Sequence, residues 1–153
     1  MSEKGWSPPK WMYRGRRPPN DNAYFENMSR VIFLAGLSWK MIDEKWPNFK
    51  KAFKDFSIDH IAKFKESDVK RLMSDASIVR NQAKITATIK NAKQFQNIRK
   101  EHGAFRVFLD SLDKSGNYTS VIKELGKRFS RLGPSSARIF LFTVGEDVRR
   151  PEE

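Results

Sequence analysis

Apolar residues recur at three- and four-residue spacing along most of the chain, the period of an α-helix. Tyr24, Met28, Val31, Ile32 and Ala35 form the first stripe, and the run 31–37 is apolar nearly all round, so this helix belongs in the interior. Gly36 can end it, and Ser38 can cap a second helix through Met41, Ile42 and Lys45. Pro47 suits the first position of another short helix carrying Phe49, Phe53 and Phe56. Ser57 and Ser67 are expected N-caps for helices over 58–64 and 68–73. The longest helix is predicted from about 81 to 102, with Ile85, Ile89, Ala92, Phe95 and Ile98 on one stripe and Gly103 just beyond it. Phe105, Val107, Phe108 and Leu109 start a further helix, and 113–117 is a turn cluster. Two last helices follow, over about 120–131 and 134–144. By composition 139–144 could be a strand, but its place after Gly133-Pro134 favours a buried helix. The expectation is an all-α, multi-helix domain over 21–148 with a short tail at 149–153.

Residues 1–20 have a different texture. They hold Trp6, Trp11, Tyr13, the prolines Pro8, Pro9, Pro18 and Pro19, and the cluster Arg14, Arg16, Arg17. Paired prolines prevent a regular helix, which predicts an extended arm. Disordered tails are poor in aromatics, so this arm is expected to dock, either on the body or on a ligand.

Composition narrows the function. Thirty Lys and Arg against eighteen Asp and Glu give a net charge of +12, which favours contact with polyanions unless the lysines only solvate the surface. There is no cysteine, which removes disulfides, thiolate metal sites and thiol nucleophiles. His60 and His102 are too few for a histidine metal site, and no metal or cofactor is expected. No apolar run is long enough to span a membrane, and Met1–Trp6 does not begin a signal peptide, so a cytoplasmic protein is expected.

The most informative local pattern runs from Leu125 to Ile139. An amphipathic helix ends in Arg131-Leu132-Gly133, and a second helix opens with Pro134-Ser135-Ser136-Ala137-Arg138. Gly133 is read as permitting a backbone conformation other residues dislike, and Pro134 fits the first helical position. The amides of Ser135, Ser136 and Ala137 would then point outward at the positive end of a helix, among Lys127, Arg128, Arg131 and Arg138, forming an anion site. The run Gly133 to Ala137 resembles the second half of the helix-hairpin-helix signature of DNA-binding proteins, with Arg131 in place of the first hairpin glycine. The competing reading is an ordinary helix–helix connection.

Taken together, the chain resembles the type I DNA-3-methyladenine glycosylases of the helix-hairpin-helix glycosylase superfamily. The words that carry this are Tyr24-Phe25-Glu26, Ala35-Gly36-Leu37-Ser38-Trp39, Ile78-Val79-Arg80-Asn81, the stretch with Lys84-Ile85 and Asn91-Ala92, Gly103-Ala104-Phe105 and Leu132-Gly133-Pro134, in family order over about 24–145. The resemblance implies an enzyme that flips a damaged purine out of duplex DNA and hydrolyses its glycosidic bond. It implies Trp39 as the stacking tryptophan, Trp6 as a second aromatic, and Gly36 and Leu37 as the segment entering the duplex where the base has left. Core packing is the rival role for Trp39 and Leu37.

The chain also departs from the family. The base-recognising glutamate eight residues before the stacking tryptophan is Val31 here. The zinc clip of many members finds Lys4 at its first cysteine position, and no His and Cys appear before Glu153. The usual aromatic segment is replaced by Trp11-Met12-Tyr13, so Trp11 or Tyr13 is expected to supply the pocket aromatic. Asp147, or its neighbour Glu146, is a candidate catalytic carboxylate, against the reading of a solvated tail residue. Glu26 is expected to form a salt bridge or cap. Two functions follow: a monomeric glycosylase for N-alkylated purines in double-stranded DNA, associated with the nucleoid when bound, or a non-catalytic DNA-binding or damage-sensing module.

Overall fold

The computed structural model describes residues 7–149. Helix boundaries follow the capping chemistry of the sequence. Asn20, Ser38, Ser57 and Asn81 each accept, through a side-chain oxygen, the amide three residues on, at Ala23, Met41, His60 and Lys84. These caps open α1 (Asp21–Leu34), α2 (Trp39–Ala52), α3 (Ile58–Ile61) and α5 (Gln82–His102). The other helices are α4 (Glu66–Met73), α6 (Phe105–Asp110), α7 (Ser115–Arg128) and α8 (Pro134–Thr143), with a 3-10 turn at Lys54–Phe56 between α2 and α3. Among the described residues there is no strand, so 139–144 is helical to Thr143 as expected.

Helix α5 is the central element. It packs on α1, α3, α4 and α6, while α1 also packs on α8 and α7 pairs with α8. Phe25, Phe95, Phe105 and Phe140 are fully buried where these helices meet, and a second aromatic column, Trp46–Phe56–Phe53, stacks nearly parallel beneath α2. Flat side chains fill such junctions with large area at little rotamer cost.

Several local expectations are corrected. Pro47 does not open a helix but lies inside α2. The cap at Ser38 and the buried Trp46 and Phe49 on either side carry the helix through it. Ser67 is not a cap: α4 begins two residues before the expected start, at Glu66, and the Asp68 carboxylate accepts the amide of its cap residue Lys65 at 2.8 Å. α3 stops at Ile61, short of Phe64. α7 opens with a left-handed turn at Gly116, Asn117 and Tyr118, and ends at Arg128 rather than Arg131. In the α7–α8 turn the left-handed residue is Arg131, at φ 59°, whereas Gly133 is extended at φ −71° and caps α8. The missing hairpin glycine thus leaves its conformation behind, adopted by an arginine.

The arm, from Ser7 to Asn20, docks on the body. The Tyr13 amide and the Asn27 side-chain amide both donate to the Thr143 carbonyl at the end of α8, and Asn27 also donates to the Trp11 carbonyl. Arg14 stacks on Phe142 and donates to the Phe142 and Glu146 carbonyls, a cation closing the negative end of a helix. Glu146 is 5 % exposed and accepts from Arg17 at 3.1 Å, Lys114 at 2.9 Å and the Tyr118 hydroxyl at 3.0 Å. Asp110 completes the cluster, bidentate to Arg17 and bonded to Lys114. The Arg17 bond, with Lys114 adding to it, holds the Asp110 carboxyl well below the usual carboxylate range.

Candidate nucleic-acid interface and base-stacking face

The loop between α1 and α2 is built to be exposed. Gly36 takes φ 80°, turning the chain out of α1, and Ser38 starts α2 at once. Leu37 and Trp39 are therefore left at the surface, 37 % and 50 % exposed, which decides against core packing for both. Lys84 of α5 holds this loop from beneath. Its buried ammonium donates to the carbonyls of Phe33 at 2.9 Å and Ala35 at 2.7 Å, closing the end of α1. Burial lowers the Lys84 pKa, and the nearby charge of Arg131 lowers it further.

Arg131 belongs to the hairpin turn between α7 and α8, which α5 also braces. Asn91 of α5 fixes the turn: its side chain accepts the Ser130 amide at 2.8 Å and donates to the Ser130 carbonyl at 3.1 Å. Lys84 and Asn91 are seven residues apart, about two helical turns or 10 Å along one face. One rigid helix therefore spaces the exposed loop from the hairpin. Arg128 is held by Gln94 at 2.9 Å and Glu101 at 3.0 Å.

Within the hairpin, the amides of Ser135 and Ser136 lie in the first turn of α8 with no acceptor among the described residues. The Ala137 amide, expected to be free, donates to the Gly133 carbonyl at 2.8 Å as the first bond of the helix. Arg138 turns away and donates to the carbonyls of Asn117 and Arg149, tying α8 to the start of α7 and the tail. Arg131 and Lys123 border an open groove of about 650 Å³ floored by Ile122, Phe129 and Leu132.

Trp11 lies beside Trp39, with ring centroids 6.3 Å apart at 34°. Tyr13 packs elsewhere, under the Arg16 guanidinium at 4.5 Å. Trp6 lies outside the described residues. Val31 is 1 % exposed in the core and offers no surface to a base. The neighbouring Arg30, which sequence reasoning missed, reaches Trp11 instead. Its guanidinium lies 4.0 Å from the Trp11 ring centroid and 5.2 Å from that of Trp46, and Nη2 donates to Asp43 at 2.7 Å. Burial lowers the Arg30 pKa while Asp43 pulls it back. Glu26 accepts from the Trp46 indole at 2.9 Å and pairs loosely with Lys50, a structural role as expected.

Asp147 does not join this face. It is exposed and borders a separate groove with Lys114, Asn117, Tyr118 and Arg149. Zinc finds no fitting residues: the chain has no cysteine, and among the described residues no three His, Asp or Glu side chains converge. Among them also, no helix is long and apolar enough to cross a membrane.

An α-helical scaffold with a basic hairpin and an exposed, lysine-braced indole loop defines an all-α protein of the helix-hairpin-helix kind. The chain belongs to the methyladenine glycosylase family, whose model matches residues 10–137. It is 36 % identical to the DNA-3-methyladenine glycosylase 1 of Escherichia coli over 75 residues, 49 % of this chain and 40 % of that protein. It is 29 % identical to the DNA-3-methyladenine glycosylase of Haemophilus influenzae over 98 residues, 64 % of this chain and 49 % of that protein. The chain thus spans less than half the length of these curated relatives. The structure superposes on 3-methyladenine DNA glycosylase I from Staphylococcus aureus with a TM-score of 0.76 at 26 % identity, covering 86 % of this chain and 80 % of that one.

Proposed function

We propose that this chain is a monofunctional DNA N-glycosylase that removes N-alkylated purines such as 3-methyladenine from duplex DNA. The observation that carries the reading is the pairing on α5: Lys84 braces the loop that presents Leu37 and Trp39, and Asn91 braces the hairpin. A protein that only grips the sugar–phosphate backbone needs the hairpin but not an exposed indole beside an apolar wedge. In this reading the Ser135 and Ser136 amides and Arg131 bind phosphate. Leu37 fills the gap left by the extruded base, Gly36 lets the backbone come close, and Trp39 with Trp11 stacks the base. Arg138 supports the hairpin from behind. The protein acts as a monomer and joins the nucleoid when bound.

The chemistry asks little of the protein. Alkylation at N3 places positive charge on the purine, so the base leaves with the glycosidic electron pair as a neutral molecule. Water then bonds to C1′ and releases one proton. Exclusion of bulk water and an aromatic face that favours a cationic base are what the site supplies. One observation favours the second reading, a damage-binding module without hydrolysis: Asp43, beside the indoles, is tied to Arg30, and Asp147 lies in another groove.

Incubation with purine-methylated duplex, followed by chromatography of free bases, tests the proposal. Release is expected, and Trp39→Ala is expected to abolish it while retaining affinity for undamaged duplex. No base from any alkylated duplex rejects the enzyme and leaves the binding module. An added side chain at Gly133 meets open space, so Gly133→Ala is expected to bind DNA like the parent and Gly133→Asp to bind more weakly through charge alone. About five phosphate contacts give a slope near −4 to −5 in log affinity against log salt, and a flat response contradicts the grip.

A further inference from the structure

The backbone of the arm and the ring of Trp11 are held by different groups. Asn27 donates to the Trp11 carbonyl, and the Tyr13 amide donates to the Thr143 carbonyl. Both bonds fix the main chain and leave the two side-chain torsions of Trp11 to be set by something else. Trp11 is only half-buried, so the core does not enclose its ring. The group set against that ring is the Arg30 guanidinium, 4.0 Å from its centroid.

Arg30 is anchored on parts of the body that do not belong to the arm. It is buried on α1, and its guanidinium lies 5.2 Å from the ring centroid of Trp46. Trp46 is fixed in turn: it stacks on Phe56 at 5.1 Å and 6°, and its indole donates to Glu26 at 2.9 Å. Nη2 of Arg30 donates to Asp43 at 2.7 Å. Asp43 stands four residues after Trp39 in α2, so the two share one face of that helix. The bond to Asp43 thus refers the Trp11 ring to the helix that presents Trp39, and the two rings meet with centroids 6.3 Å apart. Arginine suits the task. Its planar fork lies on an aromatic face while donating to a carboxylate, and the attraction between cation and ring grows where both are desolvated.

We infer that Arg30 is a positioning residue that holds the Trp11 indole against Trp39, with Asp43 setting the direction of its guanidinium. The inference deepens the glycosylase reading and rests on it for one point, that these two indoles are the face on which the base stacks. Arg30 acts through Trp11 and touches no reacting bond.

The test uses the full chain. Two indoles this close couple in circular dichroism, giving a paired positive and negative band in the indole absorption region. Loss of the band in both Trp11→Phe and Trp39→Phe assigns it to the pair. Arg30→Met is expected to abolish it, and Arg30→Lys, which keeps the charge but not the planar fork, to lose most of it. The Asp43 side chain is 67 % exposed, so Asp43→Asn leaves the core intact; it is expected to weaken the band by removing the charge that directs Arg30. Release of base from purine-methylated duplex is expected to fall about tenfold or more in Arg30→Met, the scale of a misplaced contact, with duplex affinity retained. In a Trp11→Ala background the same substitution is expected to cost less than about twofold, because Arg30 acts through that ring. A parent band that does not need both indoles, a band unchanged in all three variants at Arg30 and Asp43, or a loss of release equally large without Trp11 overturns the positioning role and leaves the glycosylase standing. Absence of released base from the parent overturns the glycosylase, and the band still decides what holds Trp11.

Discussion

Gly145 and Gly103 make a matched pair that isolates what arm docking contributes. Both have φ 89°. A Cβ on Gly103 meets nothing within 4 Å, while a Cβ on Gly145 would press into the Arg16 carbonyl and sit 2.8 Å from that of Tyr13. Gly103→Ala therefore pays only for a left-handed alanine, roughly 1–2 kcal/mol. Gly145→Ala also carries an alanine at positive φ and must in addition push the arm off the end of α8. That displacement breaks the Tyr13–Thr143 hydrogen bond and strains the Arg14 contacts with Phe142 and Glu146, each about 1 kcal/mol. The expected totals are about 1–2 kcal/mol for Gly103→Ala and about 3–5 kcal/mol for Gly145→Ala. For a chain of this size the melting point drops roughly 2–4 °C per kcal/mol. Thermal melts by circular dichroism read both numbers. Tryptophan fluorescence adds a local readout, because Trp11 rides on the arm and Trp39 does not. Gly145→Ala should change the emission from the indole pair and Gly103→Ala should not. Equal melting points for the two variants, with unchanged emission in both, would refute the claim that the arm's path across Gly145 sets the position of Trp11.

Two further predictions follow from the clasp and the hairpin. Asp110 is held below the usual carboxylate range in the folded protein, so its stabilisation is complete at neutral pH and is withdrawn as pH falls below about 4. The melting-point gap between the parent and Asp110→Asn should be constant from neutral pH to about 5 and close in stronger acid; a gap that widens in acid contradicts the assignment. Arg131→Gly relieves a left-handed arginine and should raise stability by about 1 kcal/mol. It should also weaken duplex binding and lower the salt slope by about one. Thermal melts and a salt titration measure the two effects, and a loss of stability would show that the turn depends on the side chain.

The helices were legible because their signals are local. Asn20, Ser38, Ser57 and Asn81 bond within three residues, so a cap needs no knowledge of the fold. Pro47 misled because its local preference for a first turn is weaker than the packing of Trp46 and Phe49, which keeps α2 continuous through it. In the hairpin, composition pointed to Gly133 for the left-handed position, yet Arg131 takes it. The turn's geometry is imposed by Asn91, which is 39 residues distant from Ser130. Lys84 and Asn91 left a readable trace, since polar residues on the buried stripe of a helix must have partners. Arg30 left none: one residue from Val31, it reads as another surface charge until Trp11 is brought back over it by the arm.

The carboxylates Glu146 and Asp110 clasp the arm through side chains of the chain itself. A zinc clip joins chain ends through a few strong bonds to one ion. Here Glu146 collects Arg17, Lys114 and Tyr118 at a buried carboxylate, and Asp110 shares the two cations. A buried carboxylate is tolerated only while its partners stay in place, since removing one leaves a charge without compensation. The arm is thus fixed in register rather than merely attached, because Arg17 can satisfy Glu146 and Asp110 together only at one position along the surface. Register matters for the site. Six residues separate Arg17 from Trp11, and a slip of one residue would carry Trp11 off the Arg30 guanidinium and away from Trp39. The ion pairs that hold Arg17 thereby help to set where Trp11 lies beside Trp39.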